Sequence, residues 1–253
     1  MSARPEPLGC LSFVVPMWNE EAYARTAYDA VRGAAEHLLD IGEITGWQFV
    51  VVDDASTDGT PEILDTIAAA DPHVEVIHHP VNRTLGGSLK SGLSKAGGDV
   101  VLYVDADLPC DLFETARALR IMRAYDADIV AGYRHHRTGE GPRRAVYSFA
   151  YNAIVQRAFG LRTVRDVNFA FKLVHRRVLD RLELLSEGSF IDAELLVRAN
   201  DAGFRIVQIA LDYFPRTRGV STLSSLSVIV RITREMARFA ADRRRTRRRG
   251  TVR

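Results

Sequence analysis

Residues 47–70 read WQFVVVDDASTDGTPEILDTIAAA, and this stretch decides the fold class. Its first six residues form a short apolar run, which is typical of a strand buried on both faces of a sheet. Two aspartates and a cluster of Ser, Thr, Asp and Gly then break the run, and Pro61 suits the first turn of a helix. The stretch therefore predicts a strand, a polar turn and a helix, the repeating unit of a doubly wound α/β sheet.

The same alternation continues on both sides of this unit. In the first half, the pattern predicts further strands at residues 11–16, 74–78 and 100–104, and helices at 22–39, 61–70 and 88–95. In the second half, it predicts strands at 127–132, 168–174 and 206–214, and helices at 145–161, 190–202 and 223–241. No linker rich in Pro, Gly or Ser divides the chain. We therefore expect one α/β domain over residues 1–241, with a Rossmann-like, mostly parallel central sheet flanked by helices, and a basic tail over 242–253.

The composition is that of an ordinary globular protein. Hydrophobic residues make up 47% of the 253 residues and charged residues 26%, which excludes a disordered chain and a collagen-like repeat. The two cysteines, Cys10 and Cys110, are far apart in the chain, which favours a reducing compartment over a disulfide scaffold. No apolar run approaches the roughly 18 residues of a membrane-spanning helix, and the N-terminus has no apolar signal core. These features predict a soluble or peripheral protein.

The charge is unevenly distributed along the chain. The formal net charge is +2, from 34 basic and 32 acidic residues. Seven arginines lie between Arg243 and Arg253, where there is no acidic residue, so the rest of the chain is mildly acidic. Such a tail is typical of binding to an anionic membrane surface, of binding to nucleic acid, or of a disordered solubilising end. We favour the membrane surface and not nucleic acid, because no basic face interleaved with aromatic residues accompanies the tail.

Polar clusters fall at the ends of three predicted strands: PMWNEE at 16–21, DDASTDGT at 53–60 and DADL at 105–108. The carboxyl ends of parallel strands share one edge of a sheet, which is where such folds bind their ligands. Asp105 and Asp107 are spaced so that both carboxylates can reach one Mg²⁺ or Mn²⁺. Alternatively, they form a turn that caps the next helix. The acidic pair Asp53-Asp54 favours the metal, because two acidic strand ends repel unless a cation or a donor-rich ligand lies between them.

The sequence argues against three common kinds of site. No G-x-G-x-x-G follows the first predicted strand, so a nicotinamide-dependent dehydrogenase is not indicated, and there is no Walker lysine loop. The adjacent pairs His78-His79 and His135-His136 are interpreted as loop and surface residues and not as a zinc site, because neighbouring side chains diverge on a strand. Asp53 instead offers carboxylate oxygens to a base or ribose, and residues 56–59 suit a turn and the N-cap of the next helix.

Four segments occur in the order and spacing of a known family: PMWNEE (16–21), VVDDASTDGT (51–60), NRTLGGSLKSGL (82–93) and YVDADL (103–108). Together they resemble the inverting family-2 glycosyltransferases of the A-type fold. The resemblance covers residues 11–223. Within the family, the sequence is most similar to the dolichyl- or polyprenyl-phosphate sugar synthases. Each segment is weakly specific by itself, and it is their combination that carries the resemblance.

The resemblance implies a donor site for a nucleotide sugar, with UDP or GDP, and a Mg²⁺ or Mn²⁺ cofactor. Carried over residue by residue, the nucleotide-sugar pocket comprises Pro16, Trp18, Glu20, Asp53, Asp105 and Ala106. Asp105 and Asp107 would hold the metal, and Asp107 is expected to be catalytic. Pro109 departs from the family pattern, in which Gln is often a further metal ligand, so more water or other groups must complete the coordination.

The second half of the chain resembles the lipid-phosphate branch of the family. The residues implied for the acceptor phosphate are Arg134, Arg144, Ser148, Arg216 and Ser221. Asp166, Phe171 and Lys172 resemble a strand motif of the form D-x-x-x-x-F-[RK], although residues 168–170 read Asn-Phe-Ala where Thr-Ser-Gly is usual. Thr222 also replaces the usual Lys after Ser221. These departures leave the sugar and the subfamily open.

The chemistry explains why arginines are expected near the acceptor. A phosphate monoester has its second pKa near ~6 and is mostly a dianion at neutral pH, so it needs no general base. The obstacle is its repulsion from the donor diphosphate, which guanidinium groups relieve through paired hydrogen bonds. We therefore interpret Arg144 and Arg216 as catalytic together with Asp107. A hydroxyl acceptor would need a carboxylate base instead, for which Asp192 or Glu194 is the candidate; Asp192 otherwise caps or solvates its helix.

Two predicted helices, near 143–161 and 223–241, combine apolar or aromatic residues with arginines. This pattern fits helices that lie in the headgroup layer of a membrane, although each helix could instead pack its apolar face on the sheet. Together with the basic tail, it leads us to expect a peripheral protein on the cytoplasmic face of the membrane. A small integral-membrane protein is a further candidate partner.

The predicted function is transfer of one hexosyl or N-acetylhexosaminyl unit from a nucleotide-diphosphate sugar to polyprenyl phosphate, with the inversion that the resemblance implies. Two alternatives stay open. One is an enzyme of the same fold that acts on a hydroxyl of a saccharide or small molecule, for which Asp192→Asn would abolish turnover. The other is a non-catalytic nucleotide-sugar-binding or membrane-scaffold protein, which metal-dependent turnover lost in Asp107→Ala would exclude.

Overall fold

The structure, a computed structural model, describes residues 6–135, 142–161, 163–214 and 226–250, with the backbone alone for 142–147, 226–229 and 246–250. Within these ranges the strands are β1 (Cys10–Met17), β2 (Gly46–Asp53), β3 (Val74–His78), β4 (Val100–Val104), β5 (Ile129–Arg134), β6 (Phe171–His175) and β7 (Ile206–Leu211). The helices are α1 (Glu21–Asp40), α2 (Thr60–Ala70), α3 (Thr84–Lys95), α4 (Thr115–Ala124), α5 (Pro142–Phe159), α6 (Arg176–Leu179), α7 (Ile191–Asp201) and α8 (Leu226–Gly250). A 3₁₀ turn, Leu112–Glu114, precedes α4.

The strands of the described ranges form one sheet in the order β3-β2-β1-β4-β6-β5-β7. Neighbours pair in parallel except β6, which runs antiparallel to both β4 and β5. The predicted mostly parallel central sheet is therefore confirmed. The chain moves outward from β1 to β2 and β3, and then returns to place β4 on the other side of β1. This reversal opens a crevice outside the carboxyl ends of β1 and β4, where such sheets bind their ligands.

Both faces of the central strands are buried, as the continuous apolar runs predict. Alternate residues of β1 point to opposite faces, so Phe13 packs in the core beneath α1 while Val14 packs in the core beneath α3. On α1, Ala27, Val31 and Leu38 are buried at helical spacing. A smaller core joins α7, the end of α5 and α8 through the rings of Phe159, Phe190 and Phe239. These packed layers hold the strand ends of the crevice in fixed positions.

Helix α3 begins four residues earlier than the sequence pattern indicates. Glycine is a poor helix former, and the predicted helix begins at residue 88, directly after Gly86 and Gly87. A Cβ at Gly86 would lie 2.5 Å from the carbonyl oxygen of Ser186, and one at Gly87 would lie 2.6 Å from the Glu187 carboxylate. The glycines are therefore needed where this helix packs against the segment that precedes α7. Helix α4 was not predicted, although Ala116, Leu119 and Met122 are buried at helical spacing.

Helix α8 extends beyond its predicted end at residue 241 into the basic segment. Arginine is a good helix former, and Arg243 forms an ion pair with Asp201 at the end of α7 (2.5 and 2.7 Å). Asp242 accepts a hydrogen bond from Arg198 (3.0 Å). The first part of the basic segment is thus packed helix. None of the helices in the described ranges is both long and apolar enough to cross a membrane.

The contact of α3 with β1 tests this packing. A Cβ at Gly92 would lie 2.5 Å from Val14 Cγ1 and 3.2 Å from Val52 Cγ2. We expect Gly92→Ala to lower the free energy of unfolding by about 1–3 kcal/mol, because the added methyl group overpacks the core. Gly33 on α1 is the matched control, since a Cβ there meets no atom within 4 Å. Gly33→Ala should raise the free energy of unfolding by roughly 0.5–1 kcal/mol. Urea denaturation measures both, and equal effects of the two substitutions would contradict the packing.

Candidate active site

The loops that follow β1 and β2 are tied to each other. The Asn19 N–H donates to Ser56 Oγ (2.9 Å), and the Thr57 N–H donates to Asn19 Oδ1 (2.8 Å). Both loops turn sharply, with left-handed φ values of 54° at Asn19 and 58° at Ala55. Non-glycine residues rarely adopt such values, and they concentrate at functional sites. The Asp58 carboxylate accepts from the Thr60 N–H (3.0 Å) and the Glu21 N–H (3.1 Å), which confirms the predicted turn before α2.

The residues implied for the nucleotide pocket lie around these loops. Pro16 is half-buried near the end of β1, and Glu20 is half-buried just beyond it. Trp18 is 48% exposed, which leaves ring surface available to stack on a ligand. Ala106 is buried directly after β4, next to the crevice. The sheet order thus brings the predicted donor residues of three strand ends to one edge.

Asp53 and Asp54 are held by histidines that the sequence interpretation placed on the surface. Asp53 is buried and pairs with His78, its partner in the β2–β3 register, with 2.8 Å between Oδ2 and Nδ1. Asp54 pairs with His79, with 2.6 Å between Oδ1 and Nδ1. His79 is buried, so the surface interpretation was wrong for it. Two adjacent aspartates on one strand facing two adjacent histidines on the next were the signal that would have revealed the pairs.

Asp105 lies at the end of β4 and is surrounded by like charge. The hydroxyl of Tyr103 donates to Asp105 Oδ1 (2.9 Å). Burial, together with the charges of Asp107 and Asp192, raises the pKa of Asp105 to about 7. Like charges this close favour either a proton or a cation between them. The pattern of charge is therefore that of a site for a positive ion.

The carboxylates at the end of β4 fit a divalent metal only in part. Asp105 and Asp107 supply the oxygen donors that Mg²⁺ and Mn²⁺ prefer. Within the residues that the structure describes, no group of three or more His, Cys, Asp or Glu side chains could hold a metal ion. Pro109 has no donor side chain, and its carbonyl accepts from the Phe214 N–H (2.9 Å). The remaining ligands would have to come from substrate oxygens and water, as is common for Mg²⁺.

A buried lysine lies beside this acidic strand end. Lys172 is fully buried, donates to the carbonyl of Phe169 (2.9 Å) and forms an ion pair with Asp192. Its ammonium also lies 5.5 Å from the centre of the Tyr103 ring. The antiparallel register pairs Lys172 with Tyr103. A chain of contacts therefore runs from Asp192 through Lys172 and Tyr103 to Asp105.

This ion pair bears on the candidate base, Asp192. Burial raises the pKa of Asp192 above its usual value, and Lys172 offsets this rise only in part. The carboxylate is 3% exposed and committed to the lysine, which argues against its taking a proton from a hydroxyl acceptor. Glu194, the other candidate, is also buried and accepts from the Leu185 N–H (3.0 Å) and the Ser186 N–H (2.7 Å). Both candidates are therefore occupied by contacts within the protein.

Arg134 and Ser148, both implied for the acceptor phosphate, are brought together. The Arg134 guanidinium forms a two-pronged ion pair with Asp166 (2.7 and 3.0 Å) and donates to Ser148 Oγ (3.4 Å). It also lies 5.5 Å from the centre of the Tyr213 ring. Asp166 thus offsets much of the positive charge that the sequence pattern suggested for Arg134. Arg216 and Ser221 lie outside the described residues, and so does the side chain of Arg144.

Asn152 joins this cluster to the rest of the fold. Its Nδ2 donates to the carbonyl of Ser148 (3.0 Å), and its Oδ1 accepts from the Val167 N–H (2.9 Å). The segment that carries Asp166 is therefore fastened to α5, which carries Ser148. This arrangement fixes Ser148 and Asp166, two partners of Arg134, relative to each other.

A mostly parallel sheet with paired carboxylates at its switch point is the arrangement of an A-type glycosyltransferase fold. Residues 12–183 match the model of glycosyl transferase family 2, and the chain belongs to this family. The resemblance drawn from the sequence motifs is thereby confirmed.

Several known proteins are similar to this chain. Glycosyltransferase AglD of Haloferax volcanii is 34% identical over 81% of the chain, which spans 33% of the length of AglD. Polyprenol monophosphomannose synthase of Mycolicibacterium smegmatis is 30% identical over 85% of the chain and 81% of the synthase. The solved structure of glucosyl-3-phosphoglycerate synthase from Mycobacterium tuberculosis, in complex with Mn²⁺, UDP and glucosyl-3-phosphoglycerate, superposes with a TM-score of 0.64 at 21% identity. That superposition covers 88% of this chain and 78% of the synthase and confirms the fold.

Removal of one partner of the Lys172–Asp192 pair should destabilise the folded protein. Lys172→Met leaves a buried carboxylate without its cation, so we expect the free energy of unfolding to fall by about 3–5 kcal/mol. The double variant Lys172→Met/Asp192→Leu should recover most of this loss, because no buried charge remains. Urea denaturation at neutral pH measures both. A double variant that is no more stable than Lys172→Met would contradict the pairing.

His78 contacts Asp53 and also Asp65, with 3.1 Å between its Nε2 and Asp65 Oδ1. These contacts predict a pH dependence of stability. Burial lowers the pKa of His78, but hydrogen bonds to the two carboxylates outweigh burial and raise the pKa above its usual value. The folded protein therefore binds this proton more tightly than the unfolded chain, and the stabilisation is lost as pH rises through the folded pKa. The loss of unfolding free energy in His78→Gln should be larger near pH ~5.5 than near pH ~9.

His175 provides the control of opposite sign. Burial and the neighbouring Arg177 lower the pKa of His175, so its titration destabilises the folded protein at low pH. His175→Gln should therefore cost less unfolding free energy, or gain some, near pH ~5.5 than near pH ~9. Urea denaturation at the two pH values decides, and the same pH trend in both variants would contradict the assignment of His78.

Proposed function

We propose that the chain transfers one hexosyl or N-acetylhexosaminyl unit from a UDP- or GDP-sugar to polyprenyl phosphate, with inversion at the anomeric carbon. The observation that carries the proposal is the acidic strand end of β4, where Asp105 and Asp107 accumulate negative charge beside the crevice. A nucleotide diphosphate with a divalent cation is the ligand that such a charge pattern suits. The acceptor class comes from the names of two relatives: polyprenol monophosphomannose synthase, and an undecaprenyl-phosphate 4-deoxy-4-formamido-L-arabinose transferase of Yersinia pestis that is 27% identical over 88% of the chain.

The donor would lie across the carboxyl ends of β1, β2 and β4. Asp53 would accept from the base, and the exposed ring of Trp18 would stack beside it, with Pro16 and Glu20 completing the pocket. Mg²⁺ or Mn²⁺, held by Asp105 and Asp107, would supply positive charge where the leaving diphosphate gains negative charge. Tyr103 and Lys172 keep Asp105 in place through the contacts described above. Asp107 would thus orient the leaving group and not act as a base.

The acceptor phosphate needs positive charge and not a general base, because its dianion is already nucleophilic at neutral pH. This requirement agrees with the commitment of Asp192 to Lys172, which leaves a hydroxyl acceptor without its candidate base. Arg134 and Ser148 would present the phosphate, with Asp166 holding the guanidinium in its orientation. Arg144, Arg216 and Ser221 are proposed to complete the acceptor site.

We further propose that the protein acts at the cytoplasmic face of the membrane as a peripheral protein, with an anionic lipid surface as a partner. On α5, Phe149 is 75% exposed and Ile154 is 52% exposed. Large apolar side chains on the outer face of a helix suit burial in the headgroup layer. A small integral-membrane protein is a candidate anchor.

A donor panel tests the proposed reaction. The full chain is incubated with polyprenyl phosphate, Mg²⁺ or Mn²⁺ and radiolabelled UDP- or GDP-sugars, and label is counted in the organic phase. We expect one donor to give organic-phase label that is lost when the metal is chelated. Label that stays in the aqueous phase for every donor would overturn the lipid acceptor.

A pair of aspartate variants tests the residue that carries the mechanism. Asp107→Asn should reduce transfer at least about a hundredfold, because it removes charge at the site of the leaving group. Asp126→Asn is the matched control, because the Asp126 side chain is 92% exposed in the turn before β5. Its transfer rate should stay within about twofold of the wild type. Equal rates in the two variants would exclude a metal role for Asp107.

A further inference from the structure

A cavity of about 940 Å³ lies between the start of α3 and the N-terminal half of α8. The proposed reaction does not use it, although Arg83 belongs to the motif at residues 82–93. One wall carries Arg83 and Glu187, and the other wall carries Arg231, Arg234, Glu235 and Arg238. Arg83 lies next to the end of β2, because its N–H donates to Asp54 Oδ1 (2.8 Å). The cavity therefore lies at the same edge of the sheet as the strand-end site.

The two carboxylates of the cavity are already committed to the protein. Glu235 accepts from the Gly188 N–H (2.6 Å) and fixes α8 against the segment that precedes α7. Glu187 forms an ion pair with Lys90 and lies 3.6 Å from Arg83. With four arginines against these two glutamates, the lining of the cavity carries an excess of positive charge.

The three arginines of α8 differ from most of the others in the described part of the chain. Arg231, Arg234 and Arg238 are exposed, and within the described residues no ion pair is found for them. By contrast, Arg243 on the same helix is paired with Asp201. The spacing of three and four residues puts all three guanidinium groups on one face of the helix. Glu235 lies on the same face but supplies one negative charge against three positive ones, so an anion in the cavity would stabilise this arrangement.

We propose that this cavity is a binding site for the phosphate groups of anionic membrane lipids. From Arg231 to Arg238 the row extends over about 10 Å, which is longer than a single phosphate and suits several phosphates side by side. Arginine binds phosphate through paired, charge-assisted hydrogen bonds. The cavity wall also includes Val230, which is 45% exposed and suits contact with the apolar part of a lipid. Arg83 closes the site from the opposite wall.

Nucleic acid is the other polyanion that such a row of charge could bind. Proteins that bind single strands usually stack bases on aromatic side chains. The residues that line the cavity include no aromatic side chain. The exposed valine and the absence of a stacking surface in this lining favour lipid over nucleic acid.

The inference rests on the proposed function only for the choice of a lipid, and its test needs no turnover. The full chain is mixed with vesicles of phosphatidylcholine, with or without phosphatidylglycerol, and the bound fraction is measured by flotation. We expect binding to vesicles that contain phosphatidylglycerol and little binding to phosphatidylcholine alone. Failure of sugar transfer with intact vesicle binding would overturn the proposed function alone.

Three charge-neutralising variants separate a defined site from general attraction. Arg83→Gln and Arg234→Gln, on opposite walls, should each weaken the vesicle partition coefficient about fivefold. Arg25→Gln is the matched control, because Arg25 is exposed on α1, which packs on the opposite face of the sheet from α3 and lies outside the basic tail. It should change the partition coefficient less than about twofold. Thermal unfolding of each variant checks that the fold is intact.

Several results would overturn the site. If Arg83→Gln binds vesicles like the wild type while Arg234→Gln does not, the helix binds without the cavity. Equal losses in all three variants would indicate diffuse electrostatic attraction. Inorganic phosphate that displaces the protein from vesicles at equal total phosphate would show a simple anion site. Tighter binding to a single-stranded RNA oligonucleotide than to the vesicles would assign the cavity to nucleic acid.

Discussion

The repulsion between carboxylates at neighbouring strand ends is the constraint on which this structure depends. Parallel pairing of β1 with β2 and β4 brings Asp53, Asp54 and Asp105 to one edge of the sheet. Buried carboxylates that are not paired are costly, so each needs a proton, a cation or hydrogen-bond donors. Histidines contact Asp53 and Asp54, and a tyrosine hydroxyl donates a hydrogen bond to Asp105. Burial, with the charges of Asp107 and Asp192, still raises the pKa of Asp105, so the tyrosine hydroxyl offsets the cost of its negative charge only in part.

The antiparallel strand β6 explains how the second half of the chain reaches this acidic edge. Because β6 runs opposite to β4, its first residues lie beside the last residues of β4, and Lys172 faces Tyr103. A parallel strand in the same position would place its first residues at the other edge of the sheet. The reversal therefore delivers a buried cation next to Asp105 and, through it, fixes Asp192 at the start of α7. One change of strand direction joins the acidic end of β4 to buried side chains of the second half of the chain.

Positive charge in the second half falls into two groups with different surroundings. The Arg134 side chain is 7% exposed and is held by Asp166, so its guanidinium has a defined orientation and the pair has a small net charge. The arginines of α8 are exposed on one face and oppose Arg83 across a cavity. Arg134 suits the orientation of one phosphate, and the arginines of α8 suit the attraction of several phosphates. Together they would let the protein bind a phosphate lipid surface while a single acceptor phosphate is positioned separately.

Most of the strands and helices, and the acidic motifs, were determined by the sequence alone. Apolar runs and helical spacing are local patterns, so the strands 74–78 and 100–104 were predicted at their observed ends. The motifs at residues 53–60 and 105–108 likewise showed where a ligand would bind, because strand ends of a parallel sheet share one edge. The early start of α3 was missed because glycine disfavours helix locally, and only the close packing of residues 186–187 explains it.

Tertiary structure alone decided which charges meet. Lys172 and Asp192 are twenty residues apart, Arg134 and Asp166 are thirty-two apart, and each pair forms only because separate elements pack side by side. The burial of His79, the commitment of Asp192 and the cavity beside α8 follow from the same packing. No local pattern reports them, because the energy of a buried charge depends on its neighbours in space and not on its neighbours in the chain.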